Sequence, residues 1–291
     1  MSQRPFDLDP GVHTTDDGLY GPESVTWNVM ASPAIGIGAG AAALVQMLYP
    51  PVMYVIDQAS SVRTRPEDRA KRTGDYTATI TYGDVDSAER AGEVLRNLHA
   101  TRRAVDPSTG QEYRADDPEL LVWVHNALTW TLLRSLREYG PRLAPVDEDR
   151  FVAEQRAVAA RLVGCDLDDV VSTVSDLEAY MTAMLPRLAM TTPALWFRDL
   201  MVAPTWAPTP QNALASLFAN ASVLVMGRAH RELYGFRFGP VKRATTVGTV
   251  KLLISSGTSA EKIGDAIPVL RRYVDTNAFG GRRRRSSAAP H

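Results

Sequence analysis

Apolar residues recur along most of this chain at helical spacing, and alternating strand patterns are scarce. SAERAGEVLRNLHA carries Ala91, Val94, Leu95 and Leu98, the i, i+3, i+4, i+7 stripe of an amphipathic helix. His99, four residues after Leu95, falls on that apolar side. Asp117-Pro118 reads as an N-cap and first helical residue. It opens a helix to about Tyr139 that Gly140-Pro141 ends, with Leu121, His125, Leu128 and Leu132 on one face. Phe151 to Val163 is a further helix stopped by Gly164. Leu177, Tyr180, Met181, Met184 and Leu185 form another stripe. Thr192-Pro193 and Thr209-Pro210 are two more helix starts, the second leading through Leu214, Leu217, Phe218 and Val225 toward Tyr234 and Gly235. Weaker helices are predicted near Val241 to Ser255 and Ala260 to Val274. Only TATITYG alternates like a strand. The pattern predicts an all-α fold, a single globular multi-helix domain over 24–278. An irregular arm at 1–23 precedes it, and a disordered basic tail at 279–291, holding RRRR, follows it.

No charged residue occurs between Glu23 and Asp57. That stretch is long enough to cross a bilayer. Pro33, Pro50-Pro51 and the glycines of GIGAG interrupt it, so a buried core helix ending at Pro50 is the preferred reading. A helix resting on a membrane is the alternative. GIGAG lacks a preceding strand and a Lys, so close helix packing explains it better than phosphate binding.

The chain has 291 residues, 45% hydrophobic and 22% charged, and a net charge of -1. This is ordinary globular composition and excludes a multi-span membrane chain. It also excludes a global basic field for nucleic acid. Cys165 is the single cysteine, so no disulfide framework or thiolate metal cage can form. The N-terminus has no basic stretch followed by an apolar core. A secretory signal is not expected, and the compartment is expected to be cytoplasmic, with membrane association open.

The sequence contains no HExxH helix, GxSxG elbow, P-loop or dinucleotide fingerprint. What remains are two inward histidines, His99 and His125, and the basic run Arg69-Ala-Lys-Arg-Thr73. An imidazole on an apolar face serves either as a bonded core residue or as a metal or haem ligand. Arg69 and Arg72 could anchor carboxylates bidentately, or join a solvated network with Glu67, Asp68 and Asp75.

Taken in order, GPESVTW, GAGAAALVQMLYPPV, RPEDRAKRTGDYTATITYGD, AERAGEVLRNLHA and YRADDPELLVWVHNALTWTLL resemble the MpaB/latex-clearing-protein (rubber oxygenase) catalytic-domain family, from about Gly21 to Gly239. The resemblance implies a helical domain with a buried pocket for haem b, whose iron is held by a histidine. It implies oxidation of an apolar small molecule by O₂. It makes His99 the iron ligand and His125 a pocket wall or hydrogen-bonding residue. Arg69 and Thr73 match the family's Arg-x-x-x-Thr element as candidate catalytic residues, and Arg69 and Arg72 are candidate propionate anchors. Arg72 stands where rubber oxygenases carry the Lys that approaches the distal face, which implies an open sixth iron position. Tyr49 replaces a family His, and ATRRAVDPSTGQ lacks the usual Val-x-Gly. The competing expectations are a non-catalytic haem or lipid carrier or sensor, and a membrane-associated interaction protein using 24–56 and the basic tail.

Overall fold

The computed structural model describes residues 8, 11–202 and 210–256. The helix expected over 260–274, the tail at 279–291 and the Thr209 cap lie outside them. Among the described residues there are twelve α-helices and one two-stranded hairpin, so the fold is all-α, as the pattern predicts.

α2 (Pro33–Gln46) is the centre. It carries almost no charge, and its residues are nearly all buried. It lies along α6 (Pro118–Tyr139), the longest helix, and against α10 (Pro210–Val225). The glycines make this approach possible. A Cβ at Gly38 would sit 2.9 Å from the Leu132 Cα, and one at Gly40 would sit 2.6 Å from the Ser222 Oγ. Hydroxyl and amide groups pin the contact: Ser135 donates to the Ala34 carbonyl, Ser222 to Ile37, Gln46 to Val124, and the Trp123 indole to Gln46. α3 (Pro50–Ala59) turns off at 101° after the Pro50-Pro51 step. The bent α2–α3 pair has the length and composition of a broken span, but no single described helix is long and apolar enough to cross a membrane.

α1 (Val25–Val29) leads into α2, with Trp27 edge-on to Tyr82 of α4 at 4.9 Å. α4 (Pro66–Tyr82) and α5 (Val85–Ala100) form a helical hairpin around Gly83-Asp84. TATITYG is therefore helical, not extended. The threonines satisfy the helix locally: Thr73, Thr77, Thr79 and Thr81 each donate to the carbonyl four residues back. Conversely, short strands β1 (Arg103–Val105) and β2 (Glu112–Arg114) form after His99, antiparallel with Ala104 opposite Tyr113; β2 falls in the stretch 106–117 read as a loop.

α7 (Pro145–Val158) ends in a π-helical turn (Ala159–Val163) closed by Gly164 at φ 89°, a left-handed backbone that glycine adopts without strain. α8 (Val174–Met184) and α9 (Thr192–Val202) follow. The cap of α9 is Thr191, one residue before the expected Thr192; its hydroxyl accepts from the Ala194 N–H. The helix expected to run to Tyr234 breaks at Gly227 (φ 79°) into α10 and α11 (Arg228–Leu233). α12 (Pro240–Ser255) closes the described chain.

The N-terminal arm is irregular but docked on the α4–α5 turn. The Asp84 N–H donates to the His13 carbonyl, and the His13 N–H donates to Ser87 Oγ. Thr15 donates to the Asp84 carboxylate from both N–H and hydroxyl, and the Val85 N–H donates to Asp16. Burial alone would raise the Asp84 pKa. The donors from Ser87 and Thr15 outweigh it and hold the carboxyl well below the usual range.

Candidate functional site

α4 and α5 place the residues singled out in the sequence. Arg69 stands fifteen residues before Asp84 and His99 fifteen after it. At 1.5 Å per residue, each lies about 22 Å along its own helix from the turn. Burial is concentrated at the turn end, at Ala78, Thr81, Tyr82, Ser87 and Ala88. The far end, with Arg69 to Thr73 and Glu93 to Ala100, is only partly covered.

The apolar stripe of α5 divides. His99 and Leu95 share a side with buried Ala88 and Gly92, where a Cβ at Gly92 would meet Leu162 at 3.0 Å. Val94 and Leu98 stand on the flank, 69% and 44% exposed, so the two halves of the stripe face different surroundings. The inward half carries the histidine. Burial lowers the pKa of His99, while the Asp116 carboxylate opposes the shift. Asp116 is held in turn by Arg114 through two hydrogen bonds, at 2.9 and 2.7 Å. His99 Nδ1 is buried and bonded to nothing.

His125 lies on the inward side of α6. Its ring is half-buried, yet burial alone drives its pKa down to about 4. Thr129 Oγ1 is 3.5 Å from its Nε2. Leu121 is buried one turn before it, and Leu128 is half-buried after it.

Arg69 shows the same combination. It is half-buried, burial and the neighbouring Arg72 both lower its pKa, and no carboxylate reaches it. The acidic network expected around it forms elsewhere: Lys71 pairs with Asp75 at 2.7 Å, and Arg65 approaches Asp68 at 3.9 Å. Arg72 is exposed and donates to Ser61 Oγ at 2.8 Å. Thr73 is exposed, and its hydroxyl donates to the Arg69 carbonyl at 3.1 Å.

One residue escaped the sequence reading. Tyr76 lies on the same face of α4 as Arg69 and Thr73, at i+7 and i+3. Its phenol oxygen is buried without a partner. Burial pushes its pKa up to about 12, with Arg96 opposing and Cys165 adding to the shift. Reading TATITYG as helix would have exposed it. Cys165 itself is buried, its thiol raised to about 11 by burial, which suits a structural residue and not a nucleophile.

Tyr49, which stands where the family carries His, serves a different place. Its hydroxyl donates to Glu119 at 3.1 Å and accepts from Arg187 at 2.7 Å. These residues, with Pro50, Pro51 and Tyr113, line a surface groove of about 600 Å³. Among the described residues, no group of three or more His, Cys, Asp or Glu side chains is placed to hold a metal ion. A single-histidine iron site is a different requirement.

No curated protein and no solved structure gives a significant match to the chain. One family does match: the ER-bound oxygenase mpaB/B′/rubber oxygenase catalytic domain aligns with residues 27–254. That span runs from α1 to the last turn of α12 and contains every site residue described above. The protein belongs to the mpaB/rubber oxygenase catalytic-domain family.

Proposed function

We propose that this oxygenase-family domain is haem-dependent and oxidises an apolar small molecule with O₂. The observation that carries the reading is what the two helices of the α4–α5 hairpin carry. α5 holds a desolvated imidazole with a buried, unbonded nitrogen, and α4 holds a partly buried, carboxylate-free guanidinium. A b-type haem asks for these two things, one neutral imidazole for its iron and cations for its propionates. The residues present fit the group. When bound, it supplies the redox chemistry of O₂ activation.

The chain supplies the rest. His99 is kept neutral by burial, so a ring nitrogen is free to hold iron, and the nearby Asp116 carboxylate increases its basicity. Arg69 and Arg72 would hold the propionates of a bound haem. Leu121 and Leu128, one turn either side of His125 on α6, supply apolar surface beside it. His125, uncharged at neutral pH, offers a hydrogen-bonding ring nitrogen inside an apolar wall. Arg69 further stabilises negative charge that builds on the oxidant or substrate.

The test is the absorption spectrum of protein produced with haem precursor, before and after dithionite. A Soret band that shifts on reduction, and again with carbon monoxide, is expected. His99→Ala is expected to lose the haem, whereas Arg69→Ala retains it and turns over more slowly. Full haem occupancy in His99→Ala overturns the ligand assignment. A haem protein without substrate-dependent O₂ consumption is a carrier or sensor, which overturns the enzyme reading.

A further inference from the structure

We propose that Tyr76 is the polar handle of the substrate site: its phenol O–H donates to a carbonyl or other neutral oxygen on an otherwise apolar substrate. The proposal rests on the oxygenase reading and narrows its substrate class.

Three observations carry it. The Tyr76 hydroxyl is buried and makes no hydrogen bond. A buried hydroxyl left without a partner is costly, and an acceptor on a bound ligand would satisfy it. Its hydroxyl points inward, among Tyr20, Arg96 and Cys165. Ile80, one turn on, packs with Ala88, Val158, Leu162 and Tyr20. Arg69 and Thr73 lie on the same face toward the open end. Finally, the groups around it do not complete its bonding. Arg96 is a donor only, and it is already engaged with the Leu162 carbonyl at 2.8 Å and the Arg161 carbonyl at 3.3 Å. Tyr20 is directed to Gln155. The Cys165 sulfur is a weak acceptor.

The chemistry of the donor sets the class of ligand. A phenol that remains protonated throughout the physiological range gives one directional hydrogen bond and no charge. It suits a ketone, aldehyde, ester or quinone oxygen. Carboxylates are better served by Arg69 and Arg72. An apolar molecule carrying one such oxygen would be held in a single orientation.

The experiment uses two ligands of nearly equal shape, 2-acetylnaphthalene and 2-ethylnaphthalene, which differ in the carbonyl oxygen. Their binding to the full-length protein and to Tyr76→Phe is measured by equilibrium dialysis. Loss of the hydroxyl is expected to weaken the ketone about three- to tenfold, the scale of one hydrogen bond. The hydrocarbon is expected to bind as before. Tyr76→Phe is also expected to melt no lower than the parent in the absence of ligand, because it removes an unsatisfied buried group. The proposal is overturned if both ligands weaken alike, if neither changes, or if the parent binds neither. It is also overturned if Tyr76→Phe loses haem while the ketone preference stays, because the acceptor then belongs to the cofactor. Failure of the haem spectrum alone leaves the dialysis result standing, so the two readings fail separately.

Discussion

The α2–α6 contact and the α4–α5 hairpin are both pairs of helices, and they are built on opposite rules. Where α2 meets α6, glycine replaces side chains, backbones nearly touch, and Ser135 and Ser222 donate to α2 carbonyls. Along α4 and α5, away from their turn, coverage thins. A guanidinium stands without a carboxylate, and a phenol and an imidazole nitrogen are left unbonded. The first contact is held by close backbones and hydroxyl-to-carbonyl bonds, and the second leaves polar groups for something else to meet.

The contrast can be broken most severely at Trp123, which is fully buried in α6 and donates to Gln46. Trp123→Ala is expected to cost about 3–5 kcal/mol, read by denaturant unfolding. Gly38→Ala comes next. Its new methyl would press on the Leu132 backbone, which cannot give way, so a loss of about 1–3 kcal/mol is expected despite alanine's better helix propensity. Asp84→Ala removes the α5 cap and two bonds to the arm, and about 1–2 kcal/mol is expected to go. In the hairpin, His99→Ala is expected to change the unfolding midpoint of the cofactor-free protein little while abolishing haem retention. A large loss of stability there would make His99 scaffold and erase the distinction.

A pH slope tests the interior in another way. His125 and His230 both have folded pKa values near about 4 against an unfolded value of 6.5. The unfolded chain therefore takes up protons first as pH falls, and stability drops between about pH 6.5 and 4. Thermal melts across that window are expected to decline, less steeply in His125→Gln.

Much of the scaffold was legible. Pro118 after Asp117, Gly164 after the π-helical turn, and the small residues of α2 each mark a helix start, a stop or a close approach. The all-α class, the burial of α2 and the inward placement of His99 follow from such signals. Other features were not, for identifiable reasons. TATITYG alternates because its threonines are β-branched, but back-bonding to α4 and packing against Trp27 override that preference. Gly227 looked like one more apolar-helix residue, and only its left-handed backbone reveals a break. The β1–β2 hairpin is too short to show a period. At the site, sequence named the charged and imidazole groups but not Tyr76, because an unmet hydrogen bond has no signature in a string of residues. The docking of His13 and Thr15 onto Asp84 is a long-range pairing that composition does not announce.

That docking has a mechanical consequence. Five hydrogen bonds between residues 13–16 and residues 84–87 act as a clasp at the base of the hairpin. A pull on the chain at residue 11 loads this clasp before it reaches α1, so tension arrives at the hinge of α4 and α5 first. Anything tethered to the N-terminal end of this protein has a lever on the two helices that carry Arg69, Tyr76 and His99.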